Sequence, residues 1–191
     1  MQKKIAVIND ISGFGRCSVT VSLPIISYMG VQCCPVPTAV LSNHMGYPNY
    51  FMDNYTDRMD IYIANWQKLG LKFDGIATGF LGSAEQIGIV KHFIRTFSKE
   101  DTLVIVDPVM GDHGRLYATY TEELCAQMKE LIGQADIATP NLTEACRLAD
   151  LPYREGRWRQ KELYEMAEKI GALGPSRVVI TGIPQGGFIA N

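Results

Sequence analysis

Short apolar runs alternate with longer segments of helical periodicity along almost the whole chain. The runs at 5–8, 74–79, 103–106, 135–138 and 177–180 have the length of buried strands, and helical patterns fill most of the intervals. Such alternation is typical of α/β proteins, in which parallel strands form a central sheet and helices cover both faces. The sequence therefore predicts a three-layer α/β sandwich with a mostly parallel central sheet.

The composition is that of a packed domain. Of the 191 residues, 47% are hydrophobic and 20% are charged, which favours a packed core over disorder and suits a single domain over 1–191. The net charge is −2 and no basic stripe occurs, so nucleic acid is not an expected partner. No apolar run approaches bilayer length, so we do not expect the chain to span a membrane.

The five cysteines indicate a reducing compartment. Their number is odd and no C-x-x-C pair occurs, which argues against a disulfide framework and against a structural zinc site. The first residues run into a strand and show no signal-peptide h-region. These features make a cytoplasmic location the expectation.

Two acids follow the strand predicted at 103–106. The strand stops at Asp107-Pro108, because proline cannot donate to a ladder, and Asp112 lies five positions beyond Asp107. Ligands of open α/β sheets bind outside the carboxyl ends of strands, and two carboxylates there suit a hydrated Mg²⁺ near phosphates. The alternative is a strand end with two surface acids.

Polar residues recur where the predicted strands end. Asp10, Asp107, Asn141 and Thr181 each follow an apolar run. Because the carboxyl ends of parallel strands meet at one edge of a sheet, we expect an active-site crevice there. Glu144 lies three positions after Asn141, at the start of the next predicted helix. It could belong to the crevice or could simply stabilise that helix start, since an acid is favourable at the N-terminal end of a helix.

Four stretches match the vitamin B6 kinases of the ribokinase-like superfamily. They are S-N-H-M-G-Y at 42–47, D-P-V-M-G-D at 107–112 with Gly114 and Tyr117 beyond it, A-T-P-N-L-T-E-A at 138–145, and V-V-I-T-G at 178–182. They follow the family's order across almost the whole chain. The chain thus resembles the pyridoxal, pyridoxine and pyridoxamine kinases.

The resemblance implies ATP-dependent phosphorylation of the 5′-hydroxymethyl group of a B6 vitamer, with Mg²⁺. It implies that Asp112 and Glu144 hold the metal, partly through water. Asp107, Asn141 and Glu144 would lie around the triphosphate, Thr181 would contact a phosphate oxygen, and Tyr117 would lie along the nucleotide. A need for a monovalent cation stays open, and a homodimer is expected.

The resemblance also assigns the vitamer pocket. It implies contacts from Asp10 and Ser12 after the first strand, from His44 and Met45 in a loop, and from Phe80. The family often has serine near Asp10, and some members have threonine at Met45 and tyrosine at Phe80. These departures leave the preferred vitamer open, and a lone histidine such as His44 is often structural.

One family segment has no match in the sequence. A G-x-G-D motif, whose aspartate serves the superfamily as catalytic base, does not occur in the 191 residues. We therefore expect the base to lie beyond residue 191, the chain to be the N-terminal two-thirds of a longer kinase, and its own activity to be weak or absent.

Three alternatives accompany this prediction. A hydroxymethylpyrimidine kinase of the same superfamily is one, although Gly111-Asp112 favours the B6 branch. A non-catalytic ligand-binding homologue is another, suggested by the missing base. A dinucleotide-binding oxidoreductase is disfavoured, because G-x-G-x-x-G does not follow the first strand.

Overall fold

The computed structural model describes residues 2–117 and 120–191. The chain divides into two compact units, Met1–Val104 and Ile105–Asn191. A single domain over 1–191 stays a prediction.

The first unit is a parallel α/β arrangement with one antiparallel strand. Its elements are β1 (Lys4–Phe14), α1 (Ser18–Tyr28), β2 (Gln32–Asn43), β3 (Met52–Asn54), α2 (Thr56–Lys68), β4 (Gly75–Thr78) and α3 (Ala84–Phe97). The strand order is β3-β2-β1-β4. Strand β1 runs parallel to β2 and to β4, whereas β3 is antiparallel to β2.

Strand β1 is longer than the sequence predicts. The predicted end at Asn9-Asp10 is wrong, because β1 continues to Phe14, where it pairs with Asn43 of an equally extended β2. The register changes between Asn9 and Ile11. Asp10 therefore lies inside a strand and not at its end.

An aromatic cluster forms part of the core of the first unit. Phe73, Phe93 and Phe97 are at most 1% exposed, and the ring centroids of Phe93 and Phe97 lie 4.3 Å apart. Trp66 of α2 contacts all three rings. The cluster thus joins α2 to α3 through rings that meet at tilted or edge-on angles, which aromatic pairs prefer.

Strand β5 (Leu103–Val106) crosses the division, and the second unit continues from its last two residues. The further elements are β6 (Gly111–Asp112), β7 (Arg115–Leu116), α4 (Glu122–Ile132), β8 (Ile137–Ala138), α5 (Leu142–Leu148), α6 (Gln160–Gly171), β9 (Arg177–Val178), β10 (Ile183–Gln185) and β11 (Phe188–Ala190). Strands β5, β8 and β9 are parallel neighbours, in that order. The predicted α/β fold with mostly parallel strands is confirmed.

Two short antiparallel hairpins complete the second unit. Strand β6 pairs with β7, and β10 pairs with β11.

Trp158, which precedes α6, is 5% exposed, and the guanidinium carbon of Arg154 lies 4.3 Å from its ring centroid. The second unit therefore has its own buried tryptophan, covered by a cation.

Helix starts agree with the capping residues in the sequence. Ser83 Oγ accepts the Gln86 N–H at 3.3 Å and caps the start of α3. Thr121 Oγ1 accepts the Leu124 N–H at 3.2 Å and caps α4 in the same way.

Across residues 2–117 and 120–191, the helices are too short or too polar to cross a membrane.

Candidate functional site

A tight hairpin carries the predicted metal ligand Asp112. Gly111 and Asp112 of β6 pair with Leu116 and Arg115 of β7. The two loop residues, His113 and Gly114, have φ angles of 49° and 75°, which is the backbone of a type I′ turn. A Cβ on Gly111 would overlap the Arg115 carbonyl oxygen and lie 2.7 Å from Leu116 Cα, so glycine is required there.

Three hydrogen bonds fasten this segment to the first turn of α5. They join Met110 N–H to Glu144 Oε1 (3.0 Å), Asn141 Nδ2 to Gly111 O (2.8 Å), and Gly114 N–H to Thr143 Oγ1 (2.9 Å). Backbone and side-chain groups therefore hold the D-P-V-M-G-D segment against the A-T-P-N-L-T-E-A segment. We call this arrangement, formed by 110–116 and 141–144, the hairpin clamp.

Glu144 is the buried centre of the hairpin clamp. It is 2% exposed, and its Oε2 accepts the Asn141 N–H at 2.8 Å while Asn141 Oδ1 accepts the Glu144 N–H at 3.0 Å. This reciprocal pair is a capping box, so the interpretation that Glu144 stabilises a helix start is confirmed. Its role toward a metal stays a prediction.

The acids of the second unit share one electrostatic neighbourhood. Burial, together with the charge of Asp107, raises the pKa of Glu144 to about 8, and burial raises the pKa of Asp107 to about 6. Burial and then the charges of Glu144, Asp112 and Asp107 raise the pKa of the Tyr117 phenol. Desolvated carboxylates that repel one another favour a cation nearby.

These residues fit Mg²⁺ bound together with phosphate. Within the described ranges no three His, Cys, Asp or Glu side chains form a metal cage. Mg²⁺ in phosphoryl-transfer sites typically uses one or two carboxylates and completes its shell with water and phosphate oxygens. Asp112 is half-exposed, and its Oδ1 accepts the His113 N–H at 2.8 Å. Its Oδ2 lies 3.5 Å from His113 Nε2.

Thr181 lies beside Asn141. The two residues form an isolated parallel bridge, and the Thr181 N–H donates to Pro140 O at 2.8 Å. The structure thus brings Asn141, Glu144 and Thr181 together at the start of α5. Their nucleotide contacts, and that of Tyr117, stay predictions.

The predicted vitamer residues lie in the first unit, and Asp10 there binds two hydroxyl groups. Ser12 Oγ donates to Asp10 Oδ2 at 2.8 Å, and Ser18 Oγ donates to Asp10 Oδ1 at 2.5 Å. Asp10 is 5% exposed and Ser12 is 1% exposed. Ser18, at the start of α1 with a φ of 54°, was not among the predicted residues.

The loop residues His44 and Met45 follow β2. The His44 N–H donates to Phe14 O at 2.9 Å, and His44 Nδ1 accepts the Gly46 N–H at 3.1 Å. His44 therefore lies beside the end of β1 and stabilises its own loop. Met45 is half-buried next to it, and ligand contacts by either residue stay predictions.

Phe80 is held by side chains that the sequence analysis missed. It is 4% exposed; its N–H donates to Asn9 Oδ1 at 2.9 Å, and its carbonyl accepts the Thr38 hydroxyl at 2.8 Å. Gln86 in turn donates to the Thr38 carbonyl at 2.8 Å. These bonds are made to backbone groups that are distant in sequence, so no local motif signals them.

Comparison with known proteins places the chain among kinases. Residues 26–187 match the family model for phosphomethylpyrimidine kinase. A pyridoxal kinase of Arabidopsis thaliana is 29% identical over 169 residues, covering 86% of this chain and 53% of the plant protein.

Solved structures give the same assignment. A candidate phosphomethylpyrimidine kinase of Bacteroides thetaiotaomicron, crystallised with pyridoxal, is 48% identical with a TM-score of 0.92, covering 97% of this chain and 64% of that one. The pyridoxal kinase of Leishmania donovani in complex with ADP and pyridoxamine is 26% identical with a TM-score of 0.82, covering 96% and 64%.

The chain spans little more than half the length of the curated relatives it matches. The family match nevertheless covers most of the chain, and its relatives carry the names of B6 kinases. The chain therefore belongs to the phosphomethylpyrimidine kinase family, and its resemblance to the pyridoxal kinases of the ribokinase-like superfamily is confirmed.

Proposed function

We propose that the protein takes part in ATP-dependent phosphorylation of the 5′-hydroxymethyl group of a B6 vitamer. The observation that carries the proposal is the hairpin clamp with its group of carboxylates around Tyr117. The relatives support it, since one is a pyridoxal kinase by name, one was solved with pyridoxal, and one with ADP and pyridoxamine.

The residues of the second unit would bind the nucleotide. Asn141 and Thr181 offer an amide and a hydroxyl to phosphate oxygens, and Tyr117 lies beside the acids. Asp112 and Glu144 would hold Mg²⁺, with Asp107 adding negative charge nearby. When bound, Mg²⁺ supplies the positive charge that phosphoryl transfer requires at the phosphates. The hairpin clamp keeps Asp112, Asn141 and Glu144 fixed relative to one another, and such positioning is a large share of catalysis in phosphoryl transfer.

The residues of the first unit would select the vitamer. Asp10 and Ser12 present polar groups from within β1, and Phe80 presents a ring after β4. His44 and Met45 would contact the vitamer from their loop. The G-x-G-D motif that would supply the base for the hydroxyl proton does not occur in the 191 residues.

We also propose a homodimer in the cytoplasm. Helix α1 has no charged residue and exposes Leu23, Ile25 and Tyr28 at 41%, 54% and 94%, so a second copy would meet an apolar face without like-charge repulsion. All five cysteines are free thiols, which supports a reducing compartment.

Turnover and binding should be measured separately. The chain is incubated with MgATP and pyridoxal, pyridoxine, pyridoxamine or hydroxymethylpyrimidine, with EDTA as control, and the phosphate ester is sought by mass spectrometry. Calorimetry measures MgADP and vitamer binding in parallel. Vitamer and nucleotide binding, with phosphorylation by this chain or by a longer version containing G-x-G-D, is the expected result.

The other outcomes distinguish the alternatives. Phosphorylation of hydroxymethylpyrimidine alone would identify the protein as the alternative, a hydroxymethylpyrimidine kinase. Binding of both ligands without turnover in either version would indicate a non-catalytic homologue. If neither ligand binds, the proposed function is wrong.

A further inference from the structure

One amide oxygen joins two of the residues assigned to the vitamer pocket. Asn9 Oδ1 accepts the backbone N–H of Asp10 at 2.9 Å and the backbone N–H of Phe80 at 2.9 Å. Asp10 belongs to β1, whereas Phe80 follows β4, which pairs with β1 only as far as Thr78. The side chain of Asn9 thus continues the link between the two chain segments beyond the last strand pair.

Gly79 leaves room for this amide. A Cβ at Gly79 would lie 2.6 Å from Asn9 Oδ1 and would overlap the amide nitrogen. The Gly79 N–H donates to Ile8 O at 2.9 Å, which fixes the glycine backbone against β1. Any side chain at position 79 would therefore displace the Asn9 amide and not the glycine.

The far side of Phe80 is held by a second, fully buried pair. Thr38 and Gln86 are both 0% exposed. Thr38 Oγ1 donates to Phe80 O, and Gln86 Nε2 donates to Thr38 O, each at 2.8 Å. Gln86 Oε1 accepts the Gly82 N–H at 2.8 Å. Side chains thus hold both polar groups of the Phe80 backbone, with Asn9 on one side and the Thr38–Gln86 pair on the other.

We propose that Asn9 is a positioning residue for vitamer recognition. By accepting both N–H groups through one oxygen, it fixes the backbone of Asp10 relative to that of Phe80, and so the relative placement of the two proposed vitamer contacts. The inference rests on the proposed function, because it takes Asp10 and Phe80 as vitamer contacts. Its consequence is that Asn9 controls vitamer affinity without controlling nucleotide affinity, since the proposed nucleotide residues lie in the second unit.

Two substitutions disturb the same amide from opposite sides. Asn9→Ala removes the acceptor, and Gly79→Ala expels it. Gly88→Ala in α3 is the matched control for adding a methyl group, because nothing lies within 4 Å of a Cβ there.

Calorimetry with pyridoxal, pyridoxine, pyridoxamine and MgADP measures the effect. We expect Asn9→Ala and Gly79→Ala to raise the vitamer Kd about tenfold or more, because both variants lose the hydrogen bonds that fix Asp10 and Phe80 relative to each other. Gly88→Ala should keep the wild-type vitamer Kd, and all three variants should keep the MgADP Kd. Amide exchange should show faster exchange at Asp10 and Phe80 in Asn9→Ala, which tests the positioning without a ligand.

Three results would overturn the inference. One is an unchanged vitamer Kd in Asn9→Ala or Gly79→Ala when the wild type binds vitamers. Another is amide exchange at Asp10 and Phe80 that is no faster in Asn9→Ala than in the wild type, which would show that the Asn9 amide does not hold these two segments. The third is an equal loss of MgADP affinity, which would indicate a general folding defect. A wild-type chain that binds MgADP but none of the vitamers would instead overturn the proposed substrate, on which the inference rests.

Discussion

Replacing Glu144 by glutamine tests the hairpin clamp at its centre. In the wild type, Oε1 accepts the Met110 N–H at 3.0 Å and Oε2 accepts the Asn141 N–H at 2.8 Å. Both oxygens of the glutamate side chain keep lone pairs whether it is ionised or protonated, whereas the NH₂ group of glutamine accepts no hydrogen bond, so one of these N–H groups would lose its acceptor. Because the site is buried, the unsatisfied donor should cost about 1–3 kcal/mol of unfolding free energy.

The cost should depend on pH. Burial and the charge of Asp107 raise the pKa of Glu144 from 4.5 to about 8, so the folded state holds this proton more tightly than the unfolded state does. That contribution to stability is complete below pH 4.5 and is lost as the pH rises through about 8. At roughly 1.4 kcal/mol per pKa unit, it amounts to at most about 5 kcal/mol. Glu144→Gln lacks this titration, so its disadvantage should be largest at pH 5 and should shrink or reverse by pH 9.

Urea denaturation followed by far-UV circular dichroism at pH 5, 7 and 9 measures both effects. Glu168→Gln, at an exposed position of α6, is the control and should follow the wild type at each pH. A difference between wild type and Glu144→Gln that stays constant from pH 5 to 9 would refute the charge argument. Equal stability at pH 5 would refute the hydrogen-bond argument.

Three further substitutions test the turns and caps. Gly111→Ala should cost more than about 2 kcal/mol of unfolding free energy and abolish MgADP binding, because the added Cβ would overlap the Arg115 backbone. The control is Gly187→Ala, which has open space around its Cβ and should change neither the stability nor MgADP binding. His113→Asn should raise the melting temperature slightly, since Asn-Gly is the preferred pair at the two positive-φ positions of such a turn. Ser83→Ala should lower the unfolding free energy by about 1 kcal/mol in urea titrations, through loss of the α3 cap.

Local signals predicted the elements whose ends are set by neighbouring residues. Helix α3 begins after the Ser83 cap, and β5 stops before Asp107-Pro108, as the sequence indicates. The strands β3, β6, β7 and β10 were not predicted, because each is two or three residues long and exists through a partner brought to it by the fold. The extension of β1 to Phe14 depends in the same way on the length of β2.

The residues of the candidate site differ in the same way, since local sequence signals some of them and not others. Asp107, Asn141 and Glu144 stand at strand exits and a helix start, where sequence pattern and family resemblance both indicate function. Asn9 and Thr38 could not be found in that way, because they act on the Phe80 backbone about 40 to 70 positions away. Their role follows from pairing of strands, which a single sequence does not display.

Each compact unit contains its own optical reporter. The chain has two tryptophans, and Trp66 lies in the aromatic cluster of the first unit while Trp158 lies under Arg154 in the second. Trp66→Phe and Trp158→Phe therefore leave one indole each, so fluorescence can follow the unfolding of one unit at a time. Coincident transitions would mean that 1–191 melts as one cooperative body, and separate transitions would give each unit its own stability.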